Sequence, residues 1–92
     1  MVAGVVLIRA QREHIATAAR AVADIEGVAE VYSVSGDWDL VAIVRVPEWE
    51  RIADVVTEHL ARVEGLERTM TLVAFRVFSK QDIAGAFDIF EG

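Results

Sequence analysis

The triplet Glu26-Gly27-Val28 returns as Glu64-Gly65-Leu66, 38 positions later, and the same offset carries Val6 onto Val44. A chain that repeats a strand and a glycine stop at one spacing is built from two copies of one supersecondary unit. Within each copy the hydrophobic period changes once. Val2 to Ile8 is an apolar, β-branched run of strand length, and Leu40 to Val46 is another. After the first, Ile15, Ala18, Ala19, Val22 and Ile25 fall on one stripe of a helix over residues 12–25. After the second, Pro47 suits the first turn of a helix, where its missing N–H is not needed. Glu48 and Glu50 favour the same end. Trp49, Ile52, Ala53, Val56, Leu60 and Val63 give this helix its apolar stripe. Gly27 and Gly65 close the two helices, since glycine accepts the left-handed conformation found there. Val28 to Ser35 and Thr69 to Phe78 follow as the second and the fourth, longest, strands.

The order is therefore β-α-β-β-α-β, and 92 residues leave room for one domain. Two βαβ units of equal length indicate an α+β fold of the ferredoxin-like split βαβ type. Its sheet has four antiparallel strands with both helices on one face. The domain is expected over residues 1–79. Residues 80–92 form a C-terminal helical extension, with Ile83, Ala86, Phe87 and Phe90 on one side of a helix from Asp82 to Phe90, suited to packing against another subunit.

The other face of the sheet needs a partner. In the fourth strand Met70, Leu72, Ala74 and Phe78 alternate with Val73, Phe75 and Val77, and in the third Leu40, Ala42, Val44 and Val46 alternate with Val41 and Ile43. Both sets are apolar, and two helices cover only one of them. With 54% hydrophobic residues, the chain has more apolar surface than a small core absorbs. Sheet-to-sheet packing of two copies, a homodimer in a dimeric α+β barrel arrangement that can extend to a higher oligomer, is the expected solution. No apolar run approaches the roughly 20 residues of a membrane span, and the N-terminus lacks the pattern of a secretory signal. A net charge of −6, with Lys80 the only lysine, argues against direct contact with nucleic acid. The absence of cysteine excludes disulfides and thiolate chemistry. A cytoplasmic location is expected.

The most concentrated chemistry lies between the second and third strands, in Ser35-Gly36-Asp37-Trp38-Asp39. Gly and Asp are turn formers for separate reasons, positive φ in one and side-chain bonding to the backbone in the other. That turn role is the plainer reading of Asp37. The Gly36-Asp37-Trp38-Asp39-Leu40 segment, the order of elements, and the stretch Gly65-Leu66-Glu67-Arg68-Thr69-Met70-Thr71 together resemble the ligand-binding (RAM) domain of the Lrp/AsnC family of transcriptional regulators. The resemblance spans residues 1–79.

It implies a non-enzymatic module that binds an amino acid or related metabolite where dimers meet and changes its assembly state. Carried over by position, the ligand-binding residues are Gly36, Asp37, Trp38 and Asp39, with Thr69, Met70 and Thr71 as a second wall expected from a neighbouring subunit. Backbone N–H groups beside Gly36 would take a carboxylate, and Asp37 or Asp39 an ammonium group. Family members carry an N-terminal helix-turn-helix domain, whereas this sequence starts at the first strand. A stand-alone module is thus expected, modulating transcription indirectly by associating with full-length Lrp/AsnC regulators. No catalytic residue and no cofactor is implied. His14 and His59 are 45 positions apart without carboxylates at ligand spacing, so no metal site is expected. The alternatives are a small cofactor-poor monooxygenase-like enzyme on the same barrel, for which no base is evident, and an ACT-type amino-acid sensor, which pairs its sheets edge to edge.

Overall fold

The computed structural model describes residues 1–78 and 80. Strand β1 (Val2–Ala10) leads through a 3-10 turn (Arg12–His14) into helix α1 (Ile15–Ala23). Strands β2 (Val28–Ser33) and β3 (Leu40–Val46) form a hairpin. Helix α2 begins at Trp49–Asp54, widens into a π turn (Val55–His59) and tightens into a 3-10 turn (Leu60–Arg62), after which β4 (Leu66–Val73) closes the chain's second unit. The sheet is antiparallel throughout, in the order β2-β3-β1-β4. The expected α+β architecture of four antiparallel strands and two helical segments is observed.

Register assigns the faces. Val6 lies opposite Ala42 and Thr71, and Ile8 opposite Leu40 and Thr69. Val6, Ile8, Leu40, Ala42 and Val44 are fully buried, packed with Ala18 and Val22 of α1 and with Ile52, Val55 and Leu60 of the second helical segment. Among the described residues this core contains no buried polar or charged residue. Gly4 sits where a β-carbon would reach 3.4 Å from Ile52 Cδ1, so the helix approaches the sheet closely there.

The internal echo is real in three dimensions. Gly27 and Gly65 have φ of +98° and +91°. The Gly27 carbonyl accepts the Arg45 N–H and the Gly65 carbonyl accepts the Gln11 N–H, each at 2.8 Å. Gly65 is also pressed against His14, and no L side chain fits either its conformation or its space.

Several expected boundaries move. β4 runs from Leu66 to Val73 instead of Thr69 to Phe78, and nine-residue β1 is the longest strand. The cause is partner length. Ala74 N–H still donates to the Ala3 carbonyl at 2.9 Å, but β1 starts at Val2, so later residues have no strand beside them. Phe75, Val77 and Phe78 are left exposed despite their β propensity. β2 ends at Ser33 because Val34 already turns toward Asp39. α1 proper spans Ile15 to Ala23, inside the expected 12–25. Pro47 precedes α2 instead of opening it, because extended Glu48 (φ −136°, ψ 153°) intervenes. Trp49, expected in the core stripe, is 50% exposed, Ala53 faces solvent, and Val55 takes a core position. The expected terminal helix, residues 82–90, lies outside the described residues.

The face opposite the helices is open. Val5, Leu7, Val41 and Ile43 are half-buried at its centre, with Met70 and Leu72 exposed beside them. Polar groups stand at its margin. The Tyr32 hydroxyl donates to Glu30 Oε2 at 2.7 Å, and Arg45 approaches the same carboxylate at 3.9 Å. That hydrogen bond to Glu30 is the main reason the Tyr32 pKa is raised above its ordinary value.

Candidate functional site

The loop after β2 is fixed by the missing end of a strand. β3 begins at Leu40, opposite Ile8, so no β3 residue faces Ala10 two positions further along β1. The Ala10 N–H would be left without a ladder partner. Asp39 supplies one: its Oδ2 accepts the Ala10 N–H at 2.9 Å, while the Asp39 N–H donates to the Ile8 carbonyl at 2.9 Å. The Val34 N–H donates to the Asp39 carbonyl at 3.0 Å and closes the loop's base. Asp39 thus has a definite structural role, with its second carboxylate oxygen still available.

Between these anchors the backbone is open. Gly36 has φ +113°, and a β-carbon built there meets nothing within 4 Å. Among the described residues, the amides of Ser35, Gly36, Asp37 and Trp38 donate to no protein acceptor. Successive unpaired N–H groups in a turn form a concave donor surface suited to an anion. Asp37 is exposed and makes no side-chain hydrogen bond in the described structure.

Trp38 is half-buried, and the Arg68 guanidinium carbon stands 5.4 Å from its ring centroid. A cation over an indole contributes about 0.5–1 kcal/mol at such a site, and it ties the loop to β4. Arg68 pairs directly with Arg9 across β1 and β4. Like charges directly opposite each other are unfavourable, so this corner presents positive charge beside the open amides. The two arginines were missing from the sequence reading. Arg68 lies inside the segment Gly65 to Thr71 singled out there, but nothing in the sequence indicated that Arg9 would be its cross-strand neighbour.

The other candidate residues divide between the faces. Thr69 and Thr71 share the helix side with Ile8 and Val6, whereas Met70, opposite Leu7, belongs to the open face. Thr69 borders a hollow of about 210 Å³ with Val56, Leu60 and Val63. Asp39 bonds to Ile8, and Ile8 is opposite Thr69, so only β1 separates the two. Two strand spacings put their backbones roughly 10 Å apart. The loop and the start of β4 therefore lie at the same end of the sheet, on either side of β1, within a single chain. His14 and His59 belong to no group of three potential metal ligands among the described residues. No described helix is long and apolar enough to cross a membrane.

Removing the Asp39 carboxylate tests its anchoring role. Asp39→Ala leaves the amide of buried Ala10 unsatisfied and is expected to lower stability by about 2 kcal/mol. Asp39→Asn, which retains an acceptor oxygen, is expected to recover most of that loss. Urea denaturation of the three proteins measures both, and an Asp39→Ala protein as stable as wild type would remove the anchor.

Comparison with known proteins bears on the fold that carries this loop. Residues 2–83 match the family model described as the Lrp/AsnC ligand binding domain. An uncharacterised HTH-type transcriptional regulator of Pyrococcus furiosus is 38% identical over 65 residues, 71% of this chain and 43% of the relative. The chain thus corresponds to less than half the length of that regulator. A crystal structure from Thermus thermophilus is 45% identical with a TM-score of 0.82, covering 87% of this chain and 100% of the other. Escherichia coli AsnC superposes with a TM-score of 0.76 at 15% identity, over 86% of this chain and 55% of its own, a likeness of fold.

Proposed function

Because the chain belongs to the Lrp/AsnC family through its ligand-binding domain, we propose that it is a non-enzymatic effector-binding and self-associating module. The observation that carries this reading is the run of open amides from Ser35 to Trp38 beside Arg68 and the free oxygen of Asp39. An amino acid carries the complementary pair of charges. Its carboxylate is received by the loop amides around Gly36 and by Arg68, and its ammonium by Asp39, with Asp37 at the exposed lip. Trp38 walls the site beside Arg68, whereas Thr69 and Thr71, on the helix side of β4, stand on the other face of the sheet from it. Met70 lies on the open face, where it reports whether a second copy is present.

The open face supports a homodimer formed sheet to sheet. Its centre is apolar, and its charged groups stand at the margin, the distribution found in protein interfaces. A larger assembly follows if the loops of adjacent dimers share ligand. With a net charge of −6 the chain is suited to acting on transcription through full-length Lrp/AsnC regulators, met by the same face, instead of through nucleic acid. An enzyme on this fold needs polar groups in the space under the sheet, and apolar side chains fill that space here.

Native mass spectrometry with and without each of the twenty amino acids tests the proposal. Dimers or larger species that take up ligand and shift their distribution are expected. A strictly monomeric protein, unchanged by every amino acid, would refute it.

A further inference from the structure

We propose a second small-molecule site, at the opposite end of β3 from the loop, that takes an apolar α-amino acid as its zwitterion. A hollow of about 270 Å³ lies between α2 and the turn after α1. It falls just under the range of about 300–1,000 Å³ that holds drug-sized ligands, and so suits a smaller metabolite. The seven residues of β3 separate it from Asp39 by roughly 20 Å.

Its near wall depends on Gly27. A β-carbon there would stand 3.0 Å from Val46 Cγ1 and 3.2 Å from Val55 Cγ2, in a conformation with φ +98°. Without one, the turn settles against the second helical segment and is held by the Arg45 amide on the Gly27 carbonyl, 2.8 Å away. Pro47 and the edges of Val46 and Val55 give the hollow an apolar floor.

Its far wall depends on the π turn. In an unbroken α-helix, residues eight apart are rotated by roughly 80° from one another. Here the Leu60 N–H donates to the Val55 carbonyl, five residues back, and the wider turn advances less per residue. His59 is thereby brought back toward the line of Arg51 and Val55, and all three border the hollow. Such turns inside helices recur at functional sites.

Charge defines the ligand. Besides Arg45, the hollow is lined by four ionisable residues, Glu26, Arg51, Asp54 and His59. Arg51 and Asp54 are three apart on α2, close enough to pair. Yet the ion pairs of the described structure are His14 with Glu64 and Arg45 with Glu30, and none forms among these four. Opposite charges facing one hollow without pairing are complementary to a molecule bearing both signs. The ligand's carboxylate meets Arg51 and His59, its ammonium meets Asp54 and Glu26, and its side chain lies on the valine and proline floor.

Amide NMR titration of the 15N-labelled protein with L-valine tests this site. Saturable shifts are expected at Glu26, Gly27 and residues 51–59. The half-molecules 3-methylbutanoate and isobutylamine, each lacking one charge, should bind there about tenfold more weakly or less. Arg51 is exposed, so Arg51→Ala should fold normally and lose the response at the hollow by about tenfold or more while signals of residues 35–39 keep theirs. No shift at the hollow, or shifts equal for all three compounds or retained in Arg51→Ala, would overturn the proposal. A response at the hollow with none at residues 35–39 supports this site and counts against the loop site, so the two readings fail separately.

Discussion

Leu7→Glu is expected to abolish the proposed sheet-to-sheet dimer while leaving the chain folded. Leu7 is half-buried at the centre of the open face, with Val41 and Met70 opposite it on the neighbouring strands. In a single chain the new carboxylate can reach water, so the cost to folding is small. Between two stacked sheets it would be buried without a partner, and an uncompensated buried charge costs about 3–5 kcal/mol. That corresponds to a dissociation constant weaker by roughly a thousandfold. Light scattering after size exclusion, at micromolar concentration, reads the change in mass, and circular dichroism checks the fold. Ala61→Glu provides the control, since Ala61 is exposed on the helix side. Loss of assembly in Leu7→Glu and its retention in Ala61→Glu are expected. A Leu7→Glu protein with the wild-type mass would exclude the sheet face as the contact.

The largest effect on stability is expected from Gly65→Ala. Two independent penalties coincide at this residue. Its φ of +91° lies where an L side chain costs about 1–2 kcal/mol. The added β-carbon would also stand 2.5 Å from His14 Cβ and 2.8 Å from His14 Cγ. Relieving that overlap moves the turn before α1, at about 1–3 kcal/mol. A total of about 3 kcal/mol is expected, and the thermal midpoint should fall by roughly 12–24 °C. Because the nearest atom is the β-carbon of His14, which alanine also carries, adding His14→Ala should not restore stability. A melting curve for Gly65→Ala within a degree or two of wild type would show that the turn can move freely, contrary to the packing described.

The fold was largely legible because its signals are periodic. Two strand-helix units at one offset, with glycine stops at Gly27 and Gly65, give the element order, and both glycines adopt the left-handed conformation expected of such stops. The open sheet face was legible for the same reason, since both alternating sets in β3 are apolar and Met70 and Leu72 of β4 continue the set left open. What escaped depends on partners distant in sequence. The end of β4 is set by where β1 begins, and nothing within Val73 to Phe78 records that. The π turn is a property of backbone hydrogen bonding that no side chain records, and the roll of α2 that buries Ile52 and Val55, three apart, in place of Ala53 is set by the sheet it packs on. The candidate loop was visible as chemistry, but the anchoring role of Asp39 was not. Its carboxylate is bound by the amide of Ala10, 29 positions away, and only the missing end of β3 explains why.

The strand order has a kinetic consequence. β2 and β3 form the only hairpin in the described sheet, and the turn of that hairpin is residues 34–39. Val31 reaches Ala42 by closing a short loop, whereas Val6 must wait for α1 and β2 to reach the same residue and for both helical segments and two further strands to reach Thr71. Long closures are slow relative to local ones. The segment whose amides stand open is therefore also the segment from which the sheet can begin to assemble. A substitution in residues 35–39 thus also changes the turn whose closure is the shortest in the described sheet.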